Sequence, residues 1–259
     1  MKFHFYKYQG AGNDFIMIDD RVQTFPAKPS VIKDLCNRYF GIGADGLILL
    51  QNDDISDFKM VYFNSDGRES TMCGNGGRCI VRFAEDLGVI SSETKFNAID
   101  GLHEASIFPT EVQLKMCDVL TIEIFPTHLF LNTGSPHHVE FVSDLEEIDV
   151  KQRGAEICYG SPYFDEGTNV NFVEVLNDSH LKIRTYERGV EDETLACGTG
   201  ITAAAIAFFE RGMTTQNEIQ IAAKGGDLKV QFEKNVSGGY ENIWLTGPAE
   251  FVFKGEISI

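Results

Sequence analysis

The sequence predicts an α+β protein made of two similar halves that are related by a pseudo-twofold. Segments with the pattern of strands outnumber those with the pattern of helices, and one short element, Cys-Gly-x-Gly, occurs twice, at residues 73–76 and 197–200. Each copy leads into an apolar segment, and the two copies lie 197 minus 73, or 124, positions apart. A chain of 259 residues is long enough for one large domain or for two smaller ones.

The individual elements follow from periodicity. Ten segments have the β-branched, aromatic or alternating composition of strands: 15–19, 46–50, 58–63, 112–116, 120–125, 169–176, 180–186, 219–223, 228–232 and 250–255. Three segments, 30–40, 77–87 and 201–211, have the pattern of helices and stop before a glycine. The third is apolar on nearly every side, so we expect a buried helix there.

The offset of 124 relates more than the two cysteines. It maps residues 10–12 onto 134–136, Asp45 onto Asn169, Asn64 onto Arg188 and Cys73 onto Cys197. Because four such points fall in register without a gap, we predict two halves with the order strands, cysteine, helix, strands. We place the first half at 1–118 plus 248–259 and the second at 119–247, with the ligand site between them.

Composition excludes several classes of function. The 22 basic and 39 acidic residues give a net charge of −17, which is unsuited to binding nucleic acid or an anionic membrane. No signal peptide and no run of 18 apolar residues is evident, so we expect a cytoplasmic protein. Six cysteines in such a chain do not indicate disulfides, and we expect Cys36, Cys79, Cys117 and Cys158 to be small buried apolar residues.

Cys73 and Cys197 have a different context, because each stands just before a predicted helix. A helix N-terminus offers unpaired N–H groups and the positive end of a dipole, and the glycines let a ligand approach that backbone. Such a terminus binds a carboxylate and lowers the pKa of a cysteine placed there. Each element therefore combines an activated thiol with a carboxylate site.

Two such elements on either side of one carboxylate predict racemisation or epimerisation. One thiolate would remove the α-proton from one face, and the other thiol would deliver a proton to the opposite face. No lysine motif for a pyridoxal cofactor is evident, so we expect the pair to work without a cofactor. The cysteine and histidine spacings do not match a zinc site, so no metal is expected.

The segments 10–19, 63–79 and 184–205 resemble diaminopimelate epimerase, a cofactor-independent family that interconverts LL- and meso-2,6-diaminopimelate for lysine and peptidoglycan synthesis. The resemblance covers most of the chain, and the two cysteine segments are long and specific when they occur together. It implies two homologous domains, each a mostly antiparallel sheet rolled around a central helix. Many members of the family are dimers, so a homodimer is expected.

The resemblance also implies roles for individual residues. Cys73 and Cys197 would be the catalytic acid/base pair, and His137 and Glu187 would tune the pKa values of the two thiols. The substrate would be bound by Asn13, Asn64, Gly74, Asn75, Asn169, Glu187, Arg188, Gly198 and Thr199. His137 is favoured over His138, because neighbours in a strand face opposite sides. The chain departs from the family at Ser135, where many members have Asn, and at Gly46, where some have Gln.

Two alternatives remain open on the sequence. Another racemase with two cysteines, acting on proline or hydroxyproline, would have a smaller pocket and would not need Asn64, Asn169 and Arg188 together. A non-catalytic binding module or redox sensor would not need to retain both cysteines with both glycine elements. A panel of substrates separates the first alternative, and binding without isotope exchange would support the second.

Overall fold

The computed structural model describes all 259 residues and divides the chain into two compact units. Unit 1 comprises residues 1–114 and 247–259, and unit 2 comprises residues 115–246. The chain forms 18 strands and four α-helices, which confirms the predicted α+β class. No helix is long and apolar enough to cross a membrane.

Unit 1 is a mixed sheet with two helices. Its elements are β1 (Lys2–Gly10), β2 (Asn13–Asp19), α1 (Pro29–Cys36), β3 (Gly46–Gln51), β4 (Phe58–Asn64), β5 (Glu69–Ser70), α2 (Gly74–Asp86), β6 (Glu93–Ala98), β7 (Gly101–Ile107), β8 (Glu111–Lys115) and β18 (Glu250–Ser258). The strands pair in the order β18-β1-β2-β3-β4-β6-β7-β8, with β5 added to β4. Only β2–β3 and β4–β6 are parallel, so the sheet is mostly antiparallel.

Unit 2 repeats this arrangement. Its elements are β9 (Ile122–Ile124), β10 (His128–Asn132), β11 (Pro136–Phe141), α3 (Val150–Cys158), β12 (Asn169–Val175), β13 (His180–Glu187), β14 (Asp192–Thr194), α4 (Gly198–Glu210), β15 (Glu218–Ala223), β16 (Gly226–Lys234) and β17 (Tyr240–Pro248). The order is β9-β10-β11-β12-β13-β15-β16-β17, with β14 on β13 and with β11–β12 and β13–β15 parallel. Every pairing thus has its counterpart in unit 1.

A central helix supplies much of the core in each unit. The helices α2 and α4 have 13 residues each and start 198 minus 74, or 124, positions apart. Strands β1, β2, β3, β7 and β18 contact α2, and strands β10 to β13, β15 and β16 contact α4. Ten residues of each helix are buried, and the predicted all-apolar helix of the second half is confirmed.

The helix bounds differ from the prediction in instructive ways. α2 and α4 begin at Gly74 and Gly198, three residues earlier than predicted, because a cysteine rather than a later residue is the N-cap. α1 ends at Cys36 instead of residue 40, since the Asn37 side chain accepts hydrogen bonds from the backbone N–H groups of the next turn. α3 was not predicted, because Gly154 in its middle is a weak helix former. Glycine is needed at this position, since a β-carbon would collide with the Tyr186 side chain.

The cysteines outside the two repeated elements fall into two groups. Cys36, Cys79 and Cys158 are buried, as predicted, and burial raises the pKa of each thiol, to about 12 for Cys36. Cys117 is exposed, so its assignment to the core was wrong. It follows β8 in a segment without regular structure, where no strand or helix turns its side chain inward.

Candidate active-site residues

Cys73 is the N-cap of α2. Its backbone is extended, with φ −101° and ψ 145°, and its Sγ accepts a hydrogen bond from Gly76 N at 3.2 Å. The residues that carry the N–H groups of the first helical turn, Gly74, Asn75 and Gly76, are buried. A β-carbon on Gly76 would lie 3.1 Å from both Cys73 Sγ and Ile48 Cδ1, so glycine allows the close packing of this turn.

A chain of polar contacts links the start of β2 to this helix turn. Asn13 Nδ2 donates to Asp45 Oδ2 at 2.5 Å, and Asn13 Oδ1 lies 3.4 Å from Asn75 Nδ2. Asn75 Oδ1 accepts from Arg78 Nη2 at 2.8 Å, and Arg38 Nη2 donates to Asp45 Oδ1 at 2.7 Å. Two of the predicted binding residues, Asn13 and Asn75, are therefore in contact and held at both ends.

An ion cluster beneath β2 fixes the loop that carries Asp45. Arg38 makes two hydrogen bonds to the Asp14 carboxylate, and Lys7 lies 2.5 Å from the same group. Burial would raise the pKa of Asp14, but these two cations outweigh it and lower the pKa to about 2. Lys7 is itself buried and donates to the Gly43 carbonyl.

Asn64 lies apart from this chain. It ends β4, opposite Gly46 in the sheet, and its side chain is exposed and forms no hydrogen bond. Its backbone turns back through the bond from Gly67 N to Asn64 O at 2.9 Å. The side chain is thus available to a ligand but is not oriented by the protein.

Cys197 occupies the equivalent N-cap of α4, with φ −111° and ψ 109°. Unlike Cys73 it makes no capping hydrogen bond; its Sγ lies 3.4 Å from Thr199 Oγ1. The Thr199 carbonyl accepts from the buried Thr133 hydroxyl at 2.8 Å, which ties this turn to the loop before β11. The two N-cap cysteines therefore have similar backbone conformations, but different groups surround the two sulfur atoms.

His137 is fully buried on β11, beside the first turn of α4. Asn171 Nδ2 lies 3.0 Å from both His137 Nδ1 and the His138 carbonyl, while Asn171 Oδ1 accepts from Thr185 Oγ1 at 3.0 Å. The carbonyl and the hydroxyl fix the orientation of the Asn171 amide, so His137 Nδ1 must be an acceptor and the proton must reside on Nε2. His137 Nε2 is buried and has no partner.

This environment keeps His137 neutral. Burial and, to a lesser extent, the charge of Arg188 lower the pKa of His137 to about 3, and the hydrogen bond from Asn171 opposes this shift only in part. His137 can therefore donate a hydrogen bond through Nε2 but is not a base near neutral pH. His138 contacts other groups: its Nδ1 lies 3.0 Å from the Tyr163 hydroxyl and its ring stacks on His128.

Asn169 and Arg188 are adjacent in unit 2. Asn169 is buried, donates from Nδ2 to the Pro136 carbonyl at 3.2 Å and accepts on Oδ1 from Arg188 N at 3.0 Å. The Arg188 guanidinium is exposed, and its Nη1 donates to the carbonyls of Glu166 and Gly167. Three of its five N–H groups or more are free for an anion, since each of these bonds uses one N–H at most.

Glu187 precedes Arg188 at the end of β13 and is half-buried. Burial raises the pKa of its carboxyl above the usual value. Sterics explain the first of the two departures from the family, Gly46, and nothing in the structure explains the second, Ser135. A β-carbon on Gly46 would lie 2.6 Å from the Phe63 carbonyl oxygen and from Tyr62 Cε2, and Ser135 lies in the turn whose backbone bond joins Thr133 N to Ser135 O at 3.2 Å.

Four side chains support these residues but were missed as site residues: Arg38, Asp45, Arg78 and Asn171. Asp45 was visible only as one point of the repeat. Arg78 lies two residues after the first Cys-Gly-x-Gly element, and Asn171 alternates with Asn169 on β12, so proximity to a motif was the available signal. Arg78 and Asn171 affect the site because their polar side chains are buried. The sequence does not show which polar residues are buried.

Comparison with known proteins shows the family of the chain. The family model described as diaminopimelate epimerase matches residues 5–119 and 129–252. The chain is 56% identical over 254 residues to the diaminopimelate epimerase of Flavobacterium psychrophilum, which covers 97% of this chain and 99% of that one. It is 43% identical over 260 residues to the protein of the same name from Chlorobaculum tepidum, covering 96% and 99% of the two chains.

Solved structures show the same fold at low identity. A phenazine biosynthesis protein of the PhzF family from Bacillus anthracis superposes over 100% of both chains with a TM-score of 0.79 and 13% identity. A hydroxyproline epimerase from Agrobacterium vitis superposes over 99% of this chain and 92% of that chain, with a TM-score of 0.69 and 13% identity. At this identity the likeness concerns the fold alone.

Proposed function

Because the chain belongs to the diaminopimelate epimerase family, we propose that it interconverts LL- and meso-2,6-diaminopimelate by inverting one α-carbon. The observation that carries the proposal is the paired N-cap cysteine: Cys73 on α2 and Cys197 on α4, each before a buried turn that contains glycine. In this role the protein is a cytoplasmic isomerase that supplies lysine and peptidoglycan synthesis.

The reaction needs two groups of the same kind. One cysteine thiolate takes the α-proton from one face, and the other thiol gives its proton to the opposite face, so that one thiol and one thiolate are present before and after. The first-turn N–H groups of both helices, at Gly74-Asn75 and Gly198-Thr199, bind the α-carboxylate and stabilise the charge that develops on it. These groups suffice for the proton transfers, so we propose a reaction without cofactor or metal.

The remaining residues hold the unreactive end of the substrate and tune the thiols. Arg188 offers an exposed guanidinium to the distal carboxylate, and the Asn13, Asn64 and Asn169 amides offer both donors and acceptors. Glu187 accepts from the distal ammonium or poises a thiol. His137 acts as a donor through Nε2, because its Nδ1 is occupied by Asn171.

The two compact units are assigned as the two epimerase halves. We propose that the first, 1–118 with 248–259, brings Cys73 and that the second, 119–247, brings Cys197. The closely matched topology of units 1 and 2 supports this division. Neither half is then sufficient alone, since each carries one of the two proton-transfer groups.

Isotope exchange tests the reaction. Reduced protein is incubated with LL-diaminopimelate in D2O, and the α-proton signal is followed by ¹H NMR. We expect the signal to decay, and we expect Cys73→Ser and Cys197→Ser each to slow the decay by at least about a thousandfold. Cys117→Ser is the matched control and should exchange at the native rate. Persistence of the α-proton with folded, reduced protein would contradict the proposal.

Proline and hydroxyproline belong in the same assay as competing substrates. Exchange on either, without exchange on diaminopimelate, would replace the proposed substrate while leaving the two-thiol chemistry in place.

A homodimer is also proposed, and strand β18 supports it. β18 pairs only with β1, so one edge of this nine-residue strand is open. Phe251, Val252 and Phe253 on it are 49%, 52% and 44% exposed, so large apolar side chains on both faces of this open edge strand are accessible and would otherwise invite aggregation. Light scattering after gel filtration should give twice the mass of 28.9 kDa, and Val252→Glu should halve it. Ile124→Glu, on the three-residue edge strand β9, is the control; a native monomer would refute the dimer.

A further inference from the structure

Arg78 is a fully buried arginine without an ion-pair partner. Its guanidinium donates to Asn75 Oδ1 at 2.8 Å, to the Gly74 carbonyl at 3.3 Å and, through Nε, to the Pro248 carbonyl at 3.3 Å. All three acceptors are neutral. A buried arginine is ordinarily paired with an acid, because removing its charge from water is costly. None of its hydrogen-bond partners therefore supplies a negative charge to offset the cost of burying this cation.

Cys73 is the N-cap of α2, and Arg78, on the next turn of this helix, donates to the carbonyl of the residue that follows Cys73. Cys79 follows Arg78 in the sequence, so two thiols lie near the guanidinium. Burial lowers the pKa of the guanidinium, and the groups that raise it again are Cys79 and Cys73. Cys79 is fully buried and burial raises the pKa of its thiol strongly, so it stays protonated. Cys73 is left as the group that can supply a negative charge to balance the guanidinium.

The acids on neighbouring elements are already engaged. Asp14 on β2 is paired with Lys7 and Arg38, and Glu250 on β18 accepts from Gln9 Nε2 at 2.8 Å. Tyr8 on β1 donates to Asp86 at the far end of α2, and both burial and this bond raise the pKa of Tyr8. None of these groups forms an ion pair with Arg78.

Unit 2 has no equivalent cation. The position of Arg78 plus 124 is Thr202, which is also fully buried and whose hydroxyl donates to the Gly198 carbonyl at 3.0 Å. The two hydrogen bonds to the residue that follows the cysteine, from Arg78 to Gly74 and from Thr202 to Gly198, are thus alike in place and differ in charge.

We propose that Arg78 is the counter-ion of Cys73 and makes Cys73 the thiolate of the resting protein, whereas Cys197 rests as the thiol. Arg78 touches no substrate in this proposal; it is a positioning residue for charge that acts through the Cys73 sulfur. The inference rests on the proposed function for its meaning in catalysis, but the ionisation of Cys73 is measurable without substrate. It assigns Cys73 to proton removal and Cys197 to proton donation for the isomer that binds the resting state.

The test is the pH dependence of alkylation by iodoacetamide, with each cysteine followed separately by mass spectrometry of its peptide. In the native protein we expect the midpoint of Cys73 to lie at least about one pH unit below that of Cys197. Arg78→Met should raise the Cys73 midpoint by about one unit or more, an approximately tenfold loss of rate at pH 7, and should leave Cys197 unchanged. Arg78→Lys, which keeps the charge, should keep the low midpoint, and Thr202→Val is the matched control in unit 2.

Several results would overturn the inference. Equal or reversed midpoints in the native protein would do so without any variant, which covers the case in which Arg78→Met does not fold. A folded Arg78→Met protein with an unshifted Cys73 midpoint would show a purely structural role, as would a midpoint in Arg78→Lys raised as far as in Arg78→Met. An active enzyme without these shifts would refute the role of Arg78 and keep the proposed function; an inactive protein with them would do the reverse.

Discussion

Units 1 and 2 share a topology but place different polar groups beside the same helix turn. In unit 1 the buried group is Arg78, a cation on the helix itself. In unit 2 it is the His137–Asn171 pair, which is neutral and lies on the strands. The positions that correspond to Asn171 and Thr185 at the offset of 124 are the apolar Leu47 and Val61.

The difference shows which features of the repeat are fixed. Backbone pairing, the length of the central helix and the N-cap cysteine are the same in both units, because they follow from the fold of a sheet around a helix. The buried polar side chains are free to differ, and they set the electrostatic surroundings of each sulfur. A symmetric fold can therefore hold two unlike thiols.

Acidification should produce the largest difference in stability between the two units. Burial lowers the pKa of His137 and His138 to about 3, with Arg188 acting on the first and His128 and Arg153 on the second. Below the ordinary value of 6.5 the unfolded chain takes up protons that the folded unit does not, so stability is lost as the pH falls from 6.5 towards 3. By pH 4.5 the loss in unit 2 should be about 5 kcal/mol for the pair.

Unit 1 should lose stability at a lower pH than unit 2, and by a smaller amount. The pKa of Asp14 is lowered to about 2, so its contribution is present above about pH 4 and is lost only between pH 4 and 2, at about 2 kcal/mol. Hydrogen exchange at pH 4.5, corrected for intrinsic rates, should show peptides of β11 and β12 losing protection before peptides of β2 and α2. His138→Leu should halve the effect; simultaneous loss in both units would be the contrary result.

The next largest loss of stability should come from exchanging one buried residue between the units. Asn171→Leu copies Leu47 but removes three hydrogen bonds, and the buried Thr185 hydroxyl and His137 Nδ1 lose the partner they have in Asn171. We expect a loss of about 3 kcal/mol or more in the free energy of unfolding, measured in urea. The reciprocal change, Leu47→Asn, buries an amide without partners and should cost a similar amount. A loss below about 1 kcal/mol for either would mean that the units are interchangeable there.

Adding a single methyl group to the first turn of each central helix should also affect the stability of the two units differently. A β-carbon on Gly200 would collide with Asn171 Oδ1, which the Thr185 bond holds in place, so Gly200→Ala should cost about 2 kcal/mol. The matched change Gly76→Ala meets only Cys73 Sγ and Ile48 Cδ1 at 3.1 Å and should cost about 1 kcal/mol or less. Thermal unfolding ranks the pair; the opposite order would point to a more rigid turn in unit 1.

The smallest effect belongs to Cys117. Because Cys117 is exposed, Cys117→Ser should change the free energy of unfolding by less than about 0.5 kcal/mol. It should also remove the thiol that reacts most readily with bulky reagents, as a DTNB titration under native conditions can show. A larger loss of stability would indicate packing around this residue that its exposure conceals.

Much of the fold was predictable because the repeat is periodic and in register. The segments with a continuous apolar run, such as β3 and the helix 201–211, needed only hydrophobic pattern. β6 (Glu93–Ala98) was missed since its buried residues are Thr94 and Phe96 among polar ones, a pattern too short and too polar to stand out. Such strands form because the neighbouring strands provide their hydrogen bonds and not because of their own composition.

The sequence predicted those residues of the candidate site that belong to recognisable motifs. The glycines that follow Cys73 and Cys197 identify these two cysteines in the sequence. Nothing in the sequence indicates that the Arg78 side chain is buried away from water. The same holds for the tautomer of His137, which depends on an amide 34 residues away that is itself oriented by a carbonyl and a hydroxyl. Side-chain environment of this kind arises from tertiary packing and is not encoded in local sequence.

The placement of β18 has a consequence for biosynthesis. Unit 2 is one uninterrupted stretch, 115–246, while unit 1 needs residues 247–259 to cover the outer edge of β1. During synthesis the first-made unit must therefore wait for the second to leave the ribosome before its sheet is complete. We expect a released chain truncated after residue 246 to be cut readily by protease in unit 1 and to resist in unit 2. The order in which the halves mature would then be the reverse of the order in which they are translated.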